Sequence, residues 1–418
     1  DSKDSIFSIN SNGVVTNRDD WACNFSKNEL VANMNRMIDF YNSEIDNIVK
    51  MRQVNPLLKI EKCISDDQTK IKWVQNLIRN ADNHIKHSYK PNNVRVSMYR
   101  PFCKQYLYFS KSMNWSRYMQ PRLFPTSETS NISICVTGQG GRKEFACIMI
   151  KETPSLDLIE KGQCFPFYWY EENKNKQRSL FDEESNDDYI RRDGITDWIL
   201  KEVRTRYNTK TITKEMIFYY VYGLLHSEDY RTRFAADLKK SLPRIPIVER
   251  VEDFMDFYQA GKALADLHLN YEQVPPCPGV VVRGDRDVTM TVKQDFVTGG
   301  YIEEPVDESA YDYFRVVDKM RFKSKENKST IIYNSHITIE NIPTKAYDYI
   351  VNGKSAIEWI VERYAVTIDK KSLIKNDAND WSREHHKPRY ILDLLLSVIN
   401  VSVQTVDIVN NLPRLKFD

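Results

Sequence analysis

The run Thr137-Gly-Gln-Gly-Gly-Arg-Lys143 has the glycine-rich look of a phosphate-binding loop. Such a loop needs Ser or Thr directly after its Lys to hold magnesium, and here Glu144 follows. The run is therefore predicted to be a Gly-rich hairpin joining two short β-rich runs, 131–136 and 145–150. Its Gln139, Arg142 and Lys143 would then be exposed and free to enter a groove, because Gln and Arg are bidentate readers of adenine and guanine.

Catalytic patterns are harder to assemble. An amino-methyltransferase needs Asn or Asp, then Pro-Pro and an aromatic residue, to hold a flipped base. Val274-Pro-Pro-Cys277 has the wrong first residue and no ring. Glu160-Lys161 and Lys293-Gln-Asp295 are isolated pieces of a metal-nuclease pattern, which surface charge explains better. No Gly-x-Ser-x-Gly elbow occurs, and nothing singles out a Cys–His couple. His385 and His386 are adjacent, so their side chains diverge; a polar turn over 382–388 is the expectation. The seven Cys (23, 63, 103, 135, 147, 164, 277) are odd in number and contain no Cys-x-x-Cys pair. Disulfide frameworks and Cys-rich zinc sites are disfavoured, and a reducing cytoplasm is expected. The chain is expected to be non-catalytic, with no cofactor and no metal of its own.

Charge is the stronger signal. Between Asn83 and Lys143 lie ten basic residues and one acid, Glu128, in a chain whose net charge is +2. The segment is thus +9 and the remainder −7. Nine aromatics, among them Tyr99, Tyr106, Phe109, Trp115 and Tyr118, are interleaved with the cations. Such a surface suits the phosphates of nucleic acid. The candidate contacts are Arg95, Arg100, Lys104, Lys111, Arg117, Arg122, Gln139, Arg142 and Lys143. Arg100, followed by Pro101, equally suits a structural bond to a carboxylate or carbonyl. Alternation over 94–99 and 105–109 sends several of the rings to a strand core.

The elements that must carry these residues are mixed. Ser26-x-x-Glu29 reads as a capping box opening a helix through Ile48, and Ser65-x-x-Gln68 as the start of a second. Strand patterns run from 94 to 150. A polar, charged stretch over 171–193 reads as a loop or linker. Helices are predicted at 213–226 (apolar nearly all round, hence buried), 229–242, 251–269, 355–364 and 390–401, with strand-like runs at 275–304 and 330–339. The fold class is α+β: a helical N-terminal part (1–90), a basic β-containing region (91–170), the loop (171–193), a helical region (194–270) and an α+β C-terminal region (271–418). With 418 residues, 13 Gly and 16 Pro, collagen-like and low-complexity classes are excluded. No stretch approaches the roughly 18 uninterrupted apolar residues of a membrane span. The chain starts Asp-Ser-Lys-Asp, without Met or a secretory signal, so it is expected to be a piece of a longer polypeptide.

Longer motifs carry a resemblance. They are Gly13-Val-Val-Thr-Asn-Arg-Asp-Asp-Trp21, Tyr99-Arg-Pro-Phe-Cys-Lys-Gln-Tyr-Leu-Tyr-Phe109, Cys164-Phe-Pro-Phe-Tyr168, the run from Tyr220 to Phe234, Leu238-Lys-Lys-Ser-Leu-Pro-Arg-Ile-Pro246, Asn352-Gly-Lys-Ser-Ala-Ile-Glu-Trp359 and Asn376-Asp-Ala-Asn-Asp-Trp381. In this order they resemble the C-terminal specificity region of type ISP restriction–modification enzymes. Ser372-Leu-Ile and Asp377-Ala-Asn stand where that family usually has Ser-Gly-Ile and Asp-Pro-Asn. The resemblance implies a target-recognition region for double-stranded DNA that follows an adenine methyltransferase and a translocase in one polypeptide. S-adenosylmethionine, ATP and magnesium would then belong to those other parts. Two rivals remain at this point: a coupling scaffold with non-specific DNA binding, and an enzyme whose active site has no recognised motif.

Overall fold

The computed structural model describes residues 4–173, 188–288 and 308–415, and the backbone alone of the strands Met290–Gln294 and Tyr301–Pro305. The chain opens with a short strand β1 (Ser11–Asn12), one helical turn α1 (Asp19–Ala22) and strand β2 (Cys23–Asn24). Helix α2 (Lys27–Val54) follows, with the Ser26 hydroxyl accepting from the Glu29 amide at 3.0 Å. The other half of the expected capping box comes from far away in sequence. Glu384 accepts from the Ser26 hydroxyl (2.6 Å) and from the amides of Lys27 (2.7 Å) and Asn28 (3.2 Å). A carboxylate there also meets the positive end of the helix dipole. Glu384→Ala is expected to cost about 1–2 kcal/mol in thermal or urea unfolding. Glu384→Gln keeps an acceptor and should cost less.

No helix starts at Ser65. The Ser65 hydroxyl accepts from the Asp67 amide, and its carbonyl accepts from the Trp73 indole at 2.7 Å. These local bonds hold a turn where a helix would need a free backbone. Helix α3 (Gln75–Asp82) begins ten residues later than expected.

The basic region forms β3 (Val94–Arg100) and β4 (Cys103–Tyr108), an antiparallel hairpin flanked by β2 on one side. A single turn α4 (Gln120–Leu123) precedes a second hairpin, β5 (Ser133–Val136) and β6 (Cys147–Ile150). Strand β7 (Thr153–Pro154) pairs in parallel with β3, and β8 (Gln163–Pro166) lies between β1 and β5. In the β5–β6 hairpin every strand residue is buried. Cys135, Ile148 and Ile150 enter one apolar core, and Ile134, Val136, Cys147 and Met149 enter another. A strand with both faces covered loses the alternation that marks a half-exposed one.

The polar stretch over 171–193 begins and ends in an antiparallel ribbon, β9 (Tyr168–Glu172) with β10 (Tyr189–Asp193); its centre, 174–187, lies outside the described residues. Helices α5 (Asp197–Arg206) and α6 (Lys214–His226) come next. The helix expected over 229–242 is instead two pieces, α7 (Glu228–Arg233) and α8 (Ala235–Leu238), interrupted at Phe234. The Tyr230 hydroxyl donates to the Arg244 carbonyl at 2.8 Å, drawing the following chain back over the first piece. Helix α9 (Val251–Leu269) then crosses α6 with Gly223 and Gly261 at the contact.

The C-terminal part holds a small antiparallel sheet of Val281–Arg283, Thr338–Glu340, Ile331–Ile332 and Arg321–Phe322, with the strands Met290–Gln294 and Tyr301–Pro305 paired separately. Four helices complete it: α10 (Ser309–Tyr313), α11 (Ala356–Arg363), α12 (Ala378–Glu384) and α13 (Tyr390–Asn410). Helix α11 opens with a full capping box, Ser355 with Glu358. Helix α13 is long and apolar enough to cross a membrane, and 67% of its most apolar window is buried inside the fold. The largest core joins Met98, Phe102 and Cys135 to Ile357, Leu395 and Ile399, so residues from both ends of the sequence share one interior.

Candidate nucleic-acid interface

Three of the nine nominated side chains lie on the β3–β4 hairpin, and each is held by intramolecular bonds. Arg95 is 7% exposed; it donates to the Phe124 carbonyl at 2.8 Å and lies 4.0 Å over the Phe109 ring. Arg100 donates to the Tyr99 carbonyl at 2.7 Å and stacks on the Tyr99 ring. Lys104 is 8% exposed, between Glu152 (3.1 Å) and Glu272 (2.8 Å). Burial works against its charge, but Glu152 and Glu272 more than offset that and hold its pKa above the usual value. The idea of one outward cationic stretch is corrected here: Arg95 and Lys104 sit on strands whose outer face is covered. The rings behave alike, with Phe102, Tyr108, Phe109 and Phe124 in the interior.

The other six are partly or fully exposed. Lys111 and Arg117 lie on the loop 110–119, where Arg117 sits 4.9 Å over Phe109. Arg122 stacks 4.4 Å over Trp169 of β9, with Glu171 at 3.6 Å. Gln139, Arg142 and Lys143 ride the β5–β6 turn, which is a hairpin as its glycines predict. Gly140 turns with φ +68°, a conformation suited to glycine. Glu160 accepts from the Arg142 and Lys143 amides (2.8 and 2.7 Å), and the Lys161 ammonium donates to the Gly140 carbonyl (2.9 Å). These bonds fix the turn from beneath. Lys143 itself leans away, donating to the Asn352 carbonyl at 3.0 Å.

The exposed groups are joined by residues that the charge window did not include. Asn12 reaches the Lys161 and Gly162 carbonyls beside the turn (3.5 and 3.4 Å). Its own carbonyl accepts from Gln120 (2.9 Å), and the neighbouring Ser11 hydroxyl accepts from the Met119 amide (3.1 Å). Gln163 donates to Asn10 at 2.6 Å. The result is a hydrogen-bonded ridge from Arg142 and Gln139, through Lys161, Gln163, Asn10 and Asn12, to Arg117 and Arg122. Beyond it lie Arg191, 4.3 Å over Tyr168, and Arg192. Asn and Gln amides, the side-chain type that can pair with adenine, stand here beside Lys and Arg, the type that neutralises phosphate.

Several motif residues are internal. Arg18 is fully buried, against the Met37 sulfur, and burial lowers its pKa to about 10 although Asp20 opposes this. Asp19 accepts from Thr16 and from the Tyr99 hydroxyl. In the 220–234 run, Tyr220, Tyr222 and Tyr230 are core residues, in line with the buried helix predicted there. Cys147 and His226 do approach each other, Sγ to Nδ1 at 3.6 Å. Burial pushes the Cys147 thiol up and, with Arg231 and His268, holds His226 well below its usual value. Both are therefore neutral, which is not an activated thiolate pair. Among the described residues no group of three or more His, Cys, Asp or Glu is placed to hold a metal ion.

The α+β scaffold thus turns Arg95 and Lys104 inward and leaves polar and cationic groups of the β5–β6 turn and the 110–119 loop exposed. The type ISP C-terminal specificity domain matches residues 5–394, and the chain belongs to that family. Solved structures agree. A nuclease-deletion mutant of the type ISP restriction–modification enzyme LlaGI, in complex with a DNA substrate mimic, is 34% identical with a TM-score of 0.81 over 100% of this chain. The ATP-dependent type ISP enzyme LlaBIII bound to DNA is 33% identical, TM-score 0.81, again over 100% of this chain. The DrdV–DNA complex is 30% identical, TM-score 0.78, over 99%. The chain spans 34%, 24% and 36% of those three chains. No curated protein matches.

Proposed function

We propose that this chain is the DNA target-recognition part of a type ISP restriction–modification enzyme. The observation that carries the proposal is the ridge of Asn, Gln, Lys and Arg side chains, in a fold shared with enzymes solved on DNA. Lys111 and Arg117 set register on phosphates, and Gln139, Arg142 and the Asn10–Gln163 pair face base edges. The chain has no catalytic role of its own in this reading. Adenine methylation, ATP-driven translocation and cleavage, with S-adenosylmethionine, ATP and magnesium, belong to other parts of the polypeptide, which acts in the cytoplasm.

Competition binding of the full-length protein to cognate and scrambled duplexes over a salt series tests this. A clear preference for the cognate duplex is expected, and equal affinity at moderate salt would reject target reading. Lys111→Ala is expected to lower the slope of log affinity against log salt by about one with preference unchanged. Arg142→Glu should weaken binding, whereas Glu172→Lys should not. A second role, docking on neighbouring domains, is favoured by one feature. The far end of α2 and the turn after it expose Met51, Val54 and Leu57, at 39%, 88% and 92%.

A further inference from the structure

Three of the large apolar side chains that the described residues leave exposed fall within five consecutive positions: Trp115 (46%), Tyr118 (49%) and Met119 (38%). They sit on the loop 110–119, and that loop is held firmly from inside. The side chain of Asn114, 1% exposed, accepts from the Ser110 amide (2.9 Å) and donates to the Tyr108 carbonyl (3.0 Å). Asn76 donates to the carbonyls of Ser112 (3.3 Å) and Asn114 (2.7 Å). Ser116 and Val15 exchange two backbone hydrogen bonds at 2.9 and 3.0 Å. Met113 is the loop's inward apolar anchor. Tyr118 takes a left-handed φ of +45°, which is unfavourable for a ring-bearing residue and persists where surrounding contacts impose it.

A frame this well bonded presents two half-exposed rings with little ordering left to lose on binding. The charge around them names the occupant. In sequence Lys111, Arg117 and Arg122 flank the rings, with Arg122 also 3.6 Å from Glu171, and no acidic residue occurs between Ser110 and Leu123. A base step in a duplex offers this combination: apolar ring faces with phosphates on either side. We infer that the loop is an aromatic wedge, stacking Trp115 and Tyr118 on bases where the bound duplex opens at one step. The inference rests on the DNA-recognition reading and specifies how the duplex is deformed.

The test uses the full-length protein and a target duplex carrying 2-aminopurine at each position in turn. Fluorescence is expected to rise at one step outside the methylated adenine, on the base that loses its neighbour without gaining a ring. Trp115→Ala should abolish that rise and weaken cognate binding roughly 5- to 150-fold, the range for losing one stacked base. Trp115→Phe should restore most of both, and Tyr118→Ala should behave like Trp115→Ala. Unchanged thermal melting separates lost stacking from lost folding. A protein that selects its duplex without any such rise overturns the wedge alone. So does a Trp115→Ala, Tyr118→Ala double variant that binds DNA as tightly as the parent while its domains come apart, because the rings would then be a domain contact. A protein that binds every duplex equally takes down both the wedge and the recognition reading.

Discussion

Gly261→Ala is expected to destabilise the chain by about 2–3 kcal/mol net, read as a lower denaturation midpoint. Alanine is the better helix former by about 1 kcal/mol, so propensity alone would predict a gain. The crossing of α6 and α9 reverses the sign. A Cβ on Gly261 would lie 1.9 Å from the Tyr219 carbonyl oxygen and 2.8 Å from the Gly223 nitrogen. A Cβ on Gly223 would lie 2.2 Å from the Phe257 carbonyl oxygen. These neighbours are backbone, so no side chain can swing aside; one helix must move. Moving it opens the core that holds Phe218, Tyr222, Phe257 and Leu264. The two substitutions strain the same contact, so the double variant should lose less than the sum. A Gly261→Ala variant more stable than the parent would show that the helices do not meet at these residues.

Lys104→Met is expected to cost about 3–5 kcal/mol, because it leaves two carboxylates in a mostly buried site without their cation. Burial disfavours the Glu272 carboxylate, yet Lys104, Tyr390 and Lys151 together hold its pKa below the ordinary 4.5. Its folded value is depressed, so its contribution is full above pH 4.5 and is lost as pH falls through the folded value. Lys104 is raised above its ordinary 10.5, so its contribution is full below that pH and disappears in strong alkali. The gap between wild type and Lys104→Met should therefore hold through neutral pH and narrow on acidification. Adding Glu272→Gln to Lys104→Met should recover part of the loss. DNA affinity of the folded variant should match the parent, which distinguishes an internal ion triad from a phosphate contact.

Lys104 also shows where sequence reading stops. Its charge was plain, but one of its partners, Glu272, lies 168 residues away. Charge counted along a window has no direction, so it gives no sign that an Arg such as Arg95 points inward. Local signals fared better. The apolar 213–226 pattern, the turn glycines at 138–141 and the Ser26–Glu29 bond are local features, and each element formed, although Glu160 and Glu384 complete the turn and the cap from further away. At Ser65 a competing local bond, from the Trp73 indole, removed the helix. The ridge was half legible. Gln139, Arg142, Arg117 and Arg122 lay inside the basic window, whereas Asn10, Asn12, Lys161 and Gln163 joined them through strand pairing that brings Ser11 beside Cys164.

The clasp at the start of α2 bears on synthesis. Asn24 donates to the Lys375 carbonyl, the Phe25 amide donates to Asn376, and Glu384 closes the helix end. A nascent chain emerging from the ribosome makes its longest early helix several hundred residues before those partners exist. Helix α2 must wait with the Lys27 and Asn28 amides short of their carboxylate partner until Glu384, 357 residues beyond Lys27, has been translated. Long-range closure of this kind slows folding and leaves α2 to chaperones in the meantime.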